Sequence, residues 1–335
     1  MGGLPLDRVF SKYSAFPLLW LTIRALIPWP FVGILLAPDK CWPFLGVRSR
    51  LSTFYGFFWG SSNFTKSLNS ITEKVLLVAA SVMRRVYIIG RNKILSRSNC
   101  QTIFLLDERY AARLNRAVRR SVKFLADATC VDTLDQNNRF FDEIREKSGY
   151  KPVVVIMGEL SLRRGIDLFL DTILADHQQV NFYVMIGRCD SQMLQLRHRE
   201  FLVGDIASRP NVFYREGAIS SEREFNSIIS AADIVYCVYR NHLHSSNVLG
   251  KAAAFGKAVL VSAGGLMEMR VRDYGFGAVL NDLNPGACLA ELSKLSLSLP
   301  RASISLRAGC QRYARDHSYD RFRDAISQAL SSAEH

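Results

Sequence analysis

From Lys151 onward the chain alternates two apolar patterns, and that alternation restricts the fold more than any other feature. The run KPVVVIMGEL, residues 151 to 160, is continuously apolar up to Gly158 and rich in Val and Ile, the signature of a strand buried on both faces. It is followed by RRGIDLFLDTIL, where Ile166, Phe169, Leu170, Ile173 and Leu174 recur at three- and four-residue steps, which predicts one apolar helix face. VNFYVMIG (180 to 187) and NVFYREG (211 to 217) read as two more strands, EREFNSIISAA as a helix from Glu222, and DIVYCVY (233 to 239) as a fourth strand. HSSNVLGKAAAFGKAVLVSAGG (244 to 265) then supplies a polar loop, a small-residue helix, a fifth strand and a glycine pair. Strands alternating with helices predict a parallel sheet with both faces covered, an α/β domain of Rossmann-like type starting near residue 150.

Ligands of such sheets bind outside the carboxyl ends of the strands, so the turns carry the functional information. No G-x-G-x-x-G follows a strand and no G-x-x-x-x-G-K-[ST] occurs, so neither a dinucleotide fingerprint nor a P-loop is present. An anion at this edge must instead be held by helix amides and basic side chains. Candidates are Gly158, Arg163 and Arg164 after the first strand, and Arg188 after the second. Ser245, Ser246 and Asn247 follow the fourth strand, and Gly264 and Gly265 the fifth, with Glu268 at the start of the next helix. Ordinary helix capping by Ser245 or Ser246, charge compensation at a helix start by Glu268, and a solvated Arg188 are the competing readings. His242 and His244 share an extended segment without a third ligand at suitable spacing, so no metal site is expected.

With 335 residues, 49% of them hydrophobic, the chain has room for two cores. Residues 1 to 150 therefore read as a first domain and 151 to 335 as a second. The net charge of +13 is concentrated in the first: residues 1 to 150 hold 22 Lys and Arg against 11 Asp and Glu, residues 151 to 335 hold 21 against 19. Arg84, Arg85, Arg91, Lys93 and Arg97 form one cluster; Arg109, Arg113, Arg116, Arg119, Arg120 and Lys123 form another, at steps that predict one helix face. That face is either simply solvated or attracts an anionic acceptor or an anionic membrane surface. Nucleic acid is not expected, because no aromatic and basic interleaving or recognised module accompanies the charge.

Strand candidates in the first half are Val86 to Gly90, Cys100 to Asp107 and Ser121 to Ala128. The apolar run Phe16 to Ile27 carries Arg24 and is followed by Pro28 and Pro30, short of the roughly 18 to 20 uninterrupted residues a membrane span needs. It reads as part of the first core, as a surface attachment through Trp20 and Trp29, or, as the third alternative, as a true span. Seven cysteines lack any Cys-x-x-Cys pair, which suits a reducing, cytoplasmic compartment, with attachment at the inner face of a membrane as an addition to it.

The segments GELSLRRGIDLFLDTIL, NVFYREGAISSEREFNSIISAADIVYCVY, HSSNVLGKAAAFGKAVLVSAGGLME and YGFGAVLNDLNP, taken in this order, resemble the nucleotide-sugar-binding half of retaining glycosyltransferases with the GT-B fold, across residues 151 to 290. The resemblance implies two Rossmann-like domains facing each other across a cleft, with the donor nucleotide on the carboxyl-terminal one and the acceptor on a divergent, shortened amino-terminal one. It implies no cofactor beyond a nucleotide diphosphate sugar as donor substrate, and no metal where basic side chains and helix amides carry the diphosphate. Gly158, Arg164 and Gly165 match the family's phosphate-gripping motif, with Glu159 where relatives have an arginine; Arg163 is the substitute for it. Leu243 and Lys251 stand where many relatives carry two glutamates, whereas Ser245, Ser246 and Asn247 match a serine-loop style of the same motif. The chain has no histidine before His177, although many relatives use one in the amino-terminal domain.

Three functions follow from this pattern. In the first, a glycosyltransferase uses Arg164 and Arg163 to stabilise the departing diphosphate, while Gly158, Arg188, Ser245, Ser246, Asn247, Gly264, Gly265 and Glu268 border the donor. In the second, the same fold survives as an inactive nucleotide-sugar-binding or scaffold protein; an epimerase or phosphorylase on this fold is a third. The site residues are expected to converge at one sheet edge, with Glu159 close enough to Arg164 to compete for it.

Overall fold

The computed structural model describes residues 32–36, 53–58, 100–109, 121–129, 139–189 and 191–331. The chain divides into two compact units, Met1–Leu125 with Arg323–His335, and Ala126–Phe322. In the first, β1 (Val32–Leu36), β2 (Thr53–Phe58), β3 (Cys100–Leu105) and β4 (Ser121–Phe124) form a parallel sheet in that order. Ile103, Phe104 and Leu105 of β3 are buried. β3 and β4 occupy the expected strands Cys100 to Asp107 and Ser121 to Ala128. Lys123 consequently sits in a strand rather than on a helix face with Arg109, and Arg109 grips the Asp107 carboxylate with two nitrogens at 2.9 and 2.6 Å. Val86 to Gly90, the run Phe16 to Ile27 with Trp20 and Trp29, and most of the two arginine clusters lie outside the described residues. Among the described residues no helix is long and apolar enough to cross a membrane.

The second unit is built on six parallel strands in the order β10-β9-β8-β5-β6-β7. They are β5 (Val153–Leu160), β6 (Phe182–Cys189), β7 (Val212–Glu216), β8 (Ile234–Cys237), β9 (Ala258–Ser262) and β10 (Gly277–Leu280). Its helices are α1 (Arg139–Ser148), α2 (Ile166–Ala175), α3 (Leu196–Glu200), α4 (Glu222–Ala231), α5 (Asn247–Ala254), α6 (Leu266–Tyr274) and α7 (Pro285–Asp316), and α8 (Tyr319–Ser331) begins in it and continues into the first unit from Arg323. The residues Val153 to Met157, Phe182 to Ile186, Ile234 to Cys237 and Ala258 to Val261 are all buried, because helices cover both faces and leave no polar side to the sheet. α7 packs along α2 and α5, and α1 along α4.

α1 precedes residue 150 yet packs with the second unit, whose boundary lies between Leu125 and Ala126. Arg145 of α1 holds both oxygens of Asp233 at 3.0 and 2.9 Å, and Asp233 also accepts the Val153 N–H at 2.9 Å. One carboxylate thus ties α1 to the starts of β5 and β8. The order of the sheet reverses at β5, which pairs with β6 on one side and β8 on the other. The crossover from β5 runs to β6 and the one from β8 runs to β9, toward opposite edges, so the switch point lies between the carboxyl ends of β5 and β8, where sheets of this kind leave a crevice.

Candidate functional site at the carboxyl edge of the second sheet

The sequence places a turn at Gly158, but β5 and β6 run two residues further, pairing Gly158 with Gly187 and Glu159 with Arg188. Both glycines are required there: a Cβ on Gly187 would lie 1.9 Å from the Gly158 carbonyl oxygen, and Gly158 itself has φ +90°. After β5 the chain makes a single tight turn, Leu162–Arg164, ended by Gly165 at φ +69°. Gly165 lies against the end of β8, where a Cβ would meet the Val238 carbonyl oxygen at 2.5 Å. The Arg240 N–H donates to the Arg163 carbonyl at 2.7 Å and the Arg240 guanidinium pairs with Asp167 at 2.8 Å. The turn is therefore clamped to β8 from both sides.

This clamp sends its two arginines in different directions. Arg164 turns inward: Nη1 donates to the Met157 carbonyl at 2.7 Å, and the guanidinium carbon stands 5.4 Å from the centre of the Tyr239 ring. Its Nε is buried with no hydrogen-bond partner among the described residues. Arg163 stays half exposed, 3.6 Å from Glu159. The expected competition of Glu159 for Arg164 is thus corrected: the carboxylate meets Arg163, at the surface, because the turn carries Arg164 back under Gly158. An exposed pair of this kind is worth about 0 to 1 kcal/mol.

Tyr239, buried at the end of β8, links Arg164 to the next loop through its hydroxyl, 3.1 Å from Ser246 Oγ. His242 Nε2 lies 3.2 Å from the Ser245 carbonyl oxygen; a carbonyl only accepts, so Nε2 carries the proton. Burial, reinforced by His244, Arg163 and Arg164, holds the His242 imidazole below its ordinary pKa and so neutral. Ser245 Oγ accepts from Arg270 Nη1 at 2.7 Å. Ser246 occupies the N-cap position of α5 but makes no side-chain capping bond. The capping reading of Ser245 and Ser246 is thereby set aside, since both hydroxyls are bonded away from the helix start. Asn247 follows as the exposed first residue of α5; the Leu249 N–H donates to the Ser246 carbonyl at 3.0 Å, while the amides of Asn247 and Val248 precede the first bond the helix can make for itself.

The loop after β9 closes on the same place. Gly265 approaches so near that a Cβ would lie 2.6 Å from the His242 carbonyl oxygen, and the Leu266 N–H donates to the Leu243 carbonyl at 3.2 Å. Gly264, at φ +93°, donates its N–H to the Glu268 carboxylate. Glu268 also pairs with Arg272 at 2.8 Å, and these two contacts hold its carboxyl below the usual carboxylate range. Between the loops after β8, β9 and β10 lies a recess of about 220 Å³, bordered by Tyr239, His242, Leu243, Gly264, Leu280 and Asn281 among others.

Arg164, Ser245, Ser246, Gly264 and Gly265 are accordingly brought to one sheet edge, linked through Tyr239 and His242. Arg188 is exposed at the end of β6, beside Glu159 in register, and among the described residues no hydrogen bond or ion pair joins its side chain to that group. Lys251 departs altogether from the edge: its ammonium is buried against Glu222 at 2.9 Å and Asn226 Oδ1 at 2.6 Å. Sequence reasoning passed over Arg270, Leu280 and Asn281. The signal for Arg270 was an arginine at a position where an amphipathic helix turns inward, two residues after Glu268.

Taken together, the two sheets and this edge define an α/β protein of the GT-B kind, built on Rossmann-like parallel strands. No family model and no curated protein matches the chain. Solved structures do. The Anabaena protein Alr3699/HepE, crystallised in complex with UDP-glucose, is 11% identical with a TM-score of 0.62, over 89% of this chain and 78% of its own. WaaG, a glycosyltransferase involved in lipopolysaccharide biosynthesis, is 14% identical with a TM-score of 0.52, over 89% and 98%. The N-terminal domain of Candida albicans trehalose-6-phosphate phosphatase reaches a TM-score of 0.68 at 10% identity, over 93% and 72%. Likeness at these identities shows the fold.

Proposed function

We propose that the protein is a glycosyltransferase that takes a sugar from a nucleoside diphosphate sugar and transfers it, with retention at the anomeric carbon, to a polar or lipid-linked acceptor. The observation that carries this reading is the meeting of the Arg164 guanidinium, the Ser245 and Ser246 loop and the uncapped start of α5 around Tyr239, beside a recess large enough for a flat heterocycle. That arrangement offers a cation, hydroxyls and helix amides to a diphosphate, and an aromatic and aliphatic seat to its base. In the reaction the bond from the anomeric carbon to the diphosphate oxygen breaks with its electron pair on that oxygen. The acceptor oxygen bonds to the same face of the sugar, and its proton passes to the departing phosphate.

Charge stabilisation is the catalytic contribution of the chain in this scheme. Arg164 faces the phosphate oxygens, with Arg163 joining it when the weak contact to Glu159 opens. Gly158 keeps the strand end free of a side chain beside Arg164, and Gly264 and Gly265 shape the loop over the base, with Glu268 holding that loop through the Gly264 N–H. Ser245, Ser246 and Asn247 line the phosphates, and Arg188 stands at the rim. The acceptor is anionic in this reading, drawn by the basic first 150 residues, either from solution or from an anionic membrane surface on the cytoplasmic side. Calorimetric titration with UDP- and GDP-sugars tests donor binding, and release of nucleoside diphosphate in the presence of candidate acceptors tests transfer. No binding of any nucleotide sugar would overturn the assignment.

One observation favours a second reading, a protein that binds the donor without turning it over. Lys251 and Leu243 leave no carboxylate at the two positions where the resemblance puts donor-binding glutamates, and Lys251 is committed to Glu222 and Asn226 on α4. Saturable binding with no diphosphate release over long incubation would select this reading.

A further inference from the structure

Arg270 is the largest fully buried side chain among the described residues and carries a charge. It extends from α6, two residues beyond Glu268, beneath the loop that precedes α5. Nη1 donates to Ser245 Oγ at 2.7 Å and to the Tyr313 hydroxyl of α7 at 3.1 Å, and the same nitrogen lies 3.9 Å from the Asp127 carboxylate. Its guanidinium carbon stands 5.9 Å from the centre of the Tyr313 ring. The arginine is thus held from α7 and from the segment after β4, and it meets the loop before α5 at the hydroxyl of Ser245.

A serine hydroxyl has one proton to give and two lone pairs. In accepting from a guanidinium, Ser245 Oγ commits a lone pair to a permanent cation, which polarises its own O–H and strengthens it as a donor. No acceptor for that proton is found among the described residues. Ser245 lies directly before the N-cap residue of α5, where the helix start also favours negative charge. The Ser245 backbone is fixed as well, because its carbonyl receives the His242 Nε2 proton. Hydroxyl and loop are therefore set before any ligand arrives, and the loop does not have to be ordered on binding.

We propose that Arg270 is a positioning residue for the phosphate site: it fixes and polarises Ser245, which donates its proton to a phosphate oxygen of the nucleoside diphosphate. This deepens the donor-site reading above and rests on it. In this relay Arg270 acts on the ligand through Ser245, so its influence is expected to vanish when the hydroxyl is removed.

The test is a cycle of four proteins, wild type, Ser245→Ala, Arg270→Lys and the double variant, each titrated with UDP or GDP and with the uncharged nucleoside. Each single change is expected to weaken diphosphate binding by about 5- to 20-fold, the loss of one charge-assisted hydrogen bond in a half-buried site. Nucleoside affinity should change less than about twofold, and the double variant should be no weaker than either single one, since coupled partners are not additive. Tyr313→Phe removes a second acceptor on Nη1; it is expected to lower thermal stability while leaving diphosphate affinity unchanged. Additive losses, equal losses for nucleoside and diphosphate, or unchanged diphosphate affinity in Ser245→Ala would each overturn the relay while leaving the donor site standing. Should Arg270→Lys fail to fold, Ser245→Ala and Tyr313→Phe decide by the same criteria. Absence of nucleotide binding in the wild type would overturn the donor-site reading itself and the relay with it.

Discussion

Arg163 and Arg164 are neighbours in sequence and opposites in environment. Arg164 is turned in beneath Gly158 toward Tyr239, whereas Arg163 sits half exposed beside Glu159. Arg164→Ala should therefore weaken nucleoside diphosphate binding by about 1.5 to 3 kcal/mol, the worth of a hydrogen bond to a charged group. Arg163→Ala should cost less than about 1 kcal/mol, since a half-exposed cation is screened by water. Calorimetry with the diphosphate and with the uncharged nucleoside checks both: equal losses for the two arginines would remove the inward assignment, and the nucleoside should distinguish neither variant. The pair RR was legible as a candidate phosphate grip. The resemblance put Arg164 first and Arg163 as its substitute; that Arg164 turns under Gly158 while Arg163 stays beside Glu159 was not legible, because it depends on the tight turn ending at Gly165 and on its seat against Val238.

That seat belongs to the scale of elements. Gly165 joins β5 to α2 at φ +69°, and a Cβ there would strike the Val238 carbonyl at 2.5 Å. Gly165→Ala should lower stability by about 2 to 4 kcal/mol, from backbone strain plus a forced shift of the turn against β8. Urea unfolding checks this, with Gly256→Ala as a comparison of similar φ and open surroundings, expected to cost only the left-handed backbone penalty. At the junction of α7 and α8, burial and the charge of Arg270 push the His317 imidazole down to about 3 from its ordinary 6.5. It stacks on Tyr313 with ring centres 4.1 Å apart. The unfolded chain then binds a proton below pH 6.5 that the folded chain refuses until near pH 3. Stability should fall as pH drops through this window, with a limiting slope of about 1.4 kcal/mol per pH unit from this group. His317→Phe should flatten the slope measured by urea unfolding between pH 6 and pH 4. An unchanged slope would show that His317 protonates in the folded state.

For the whole molecule, the charge asymmetry is the property with a direct readout. A first half with 22 basic against 11 acidic residues should bind liposomes containing anionic lipid at low ionic strength, and sedimentation should show that binding fading by about 0.5 M salt, where the screening length falls to a few ångströms. Neutral liposomes should bind little, and absence of binding to both at low salt would mark the arginines as a solvated surface. The sequence alone determined the alternation of strand and helix after Lys151, and hence the parallel sheet and the edge where a ligand site must lie. Those features follow from local periodicity, which a buried strand or an amphipathic helix imposes on a few consecutive residues. Tertiary structure decided the rest: that β5 and β6 continue past Gly158 and Gly187, that α1 joins the second unit through Asp233, and that Lys251 turns away from the edge to Glu222. It also decided that Arg270 stands under Ser245. Each of these rests on contacts between residues far apart in the chain, and the partner that satisfies a buried charge or allows two backbones to touch is set by the packing of elements, which local periodicity does not encode.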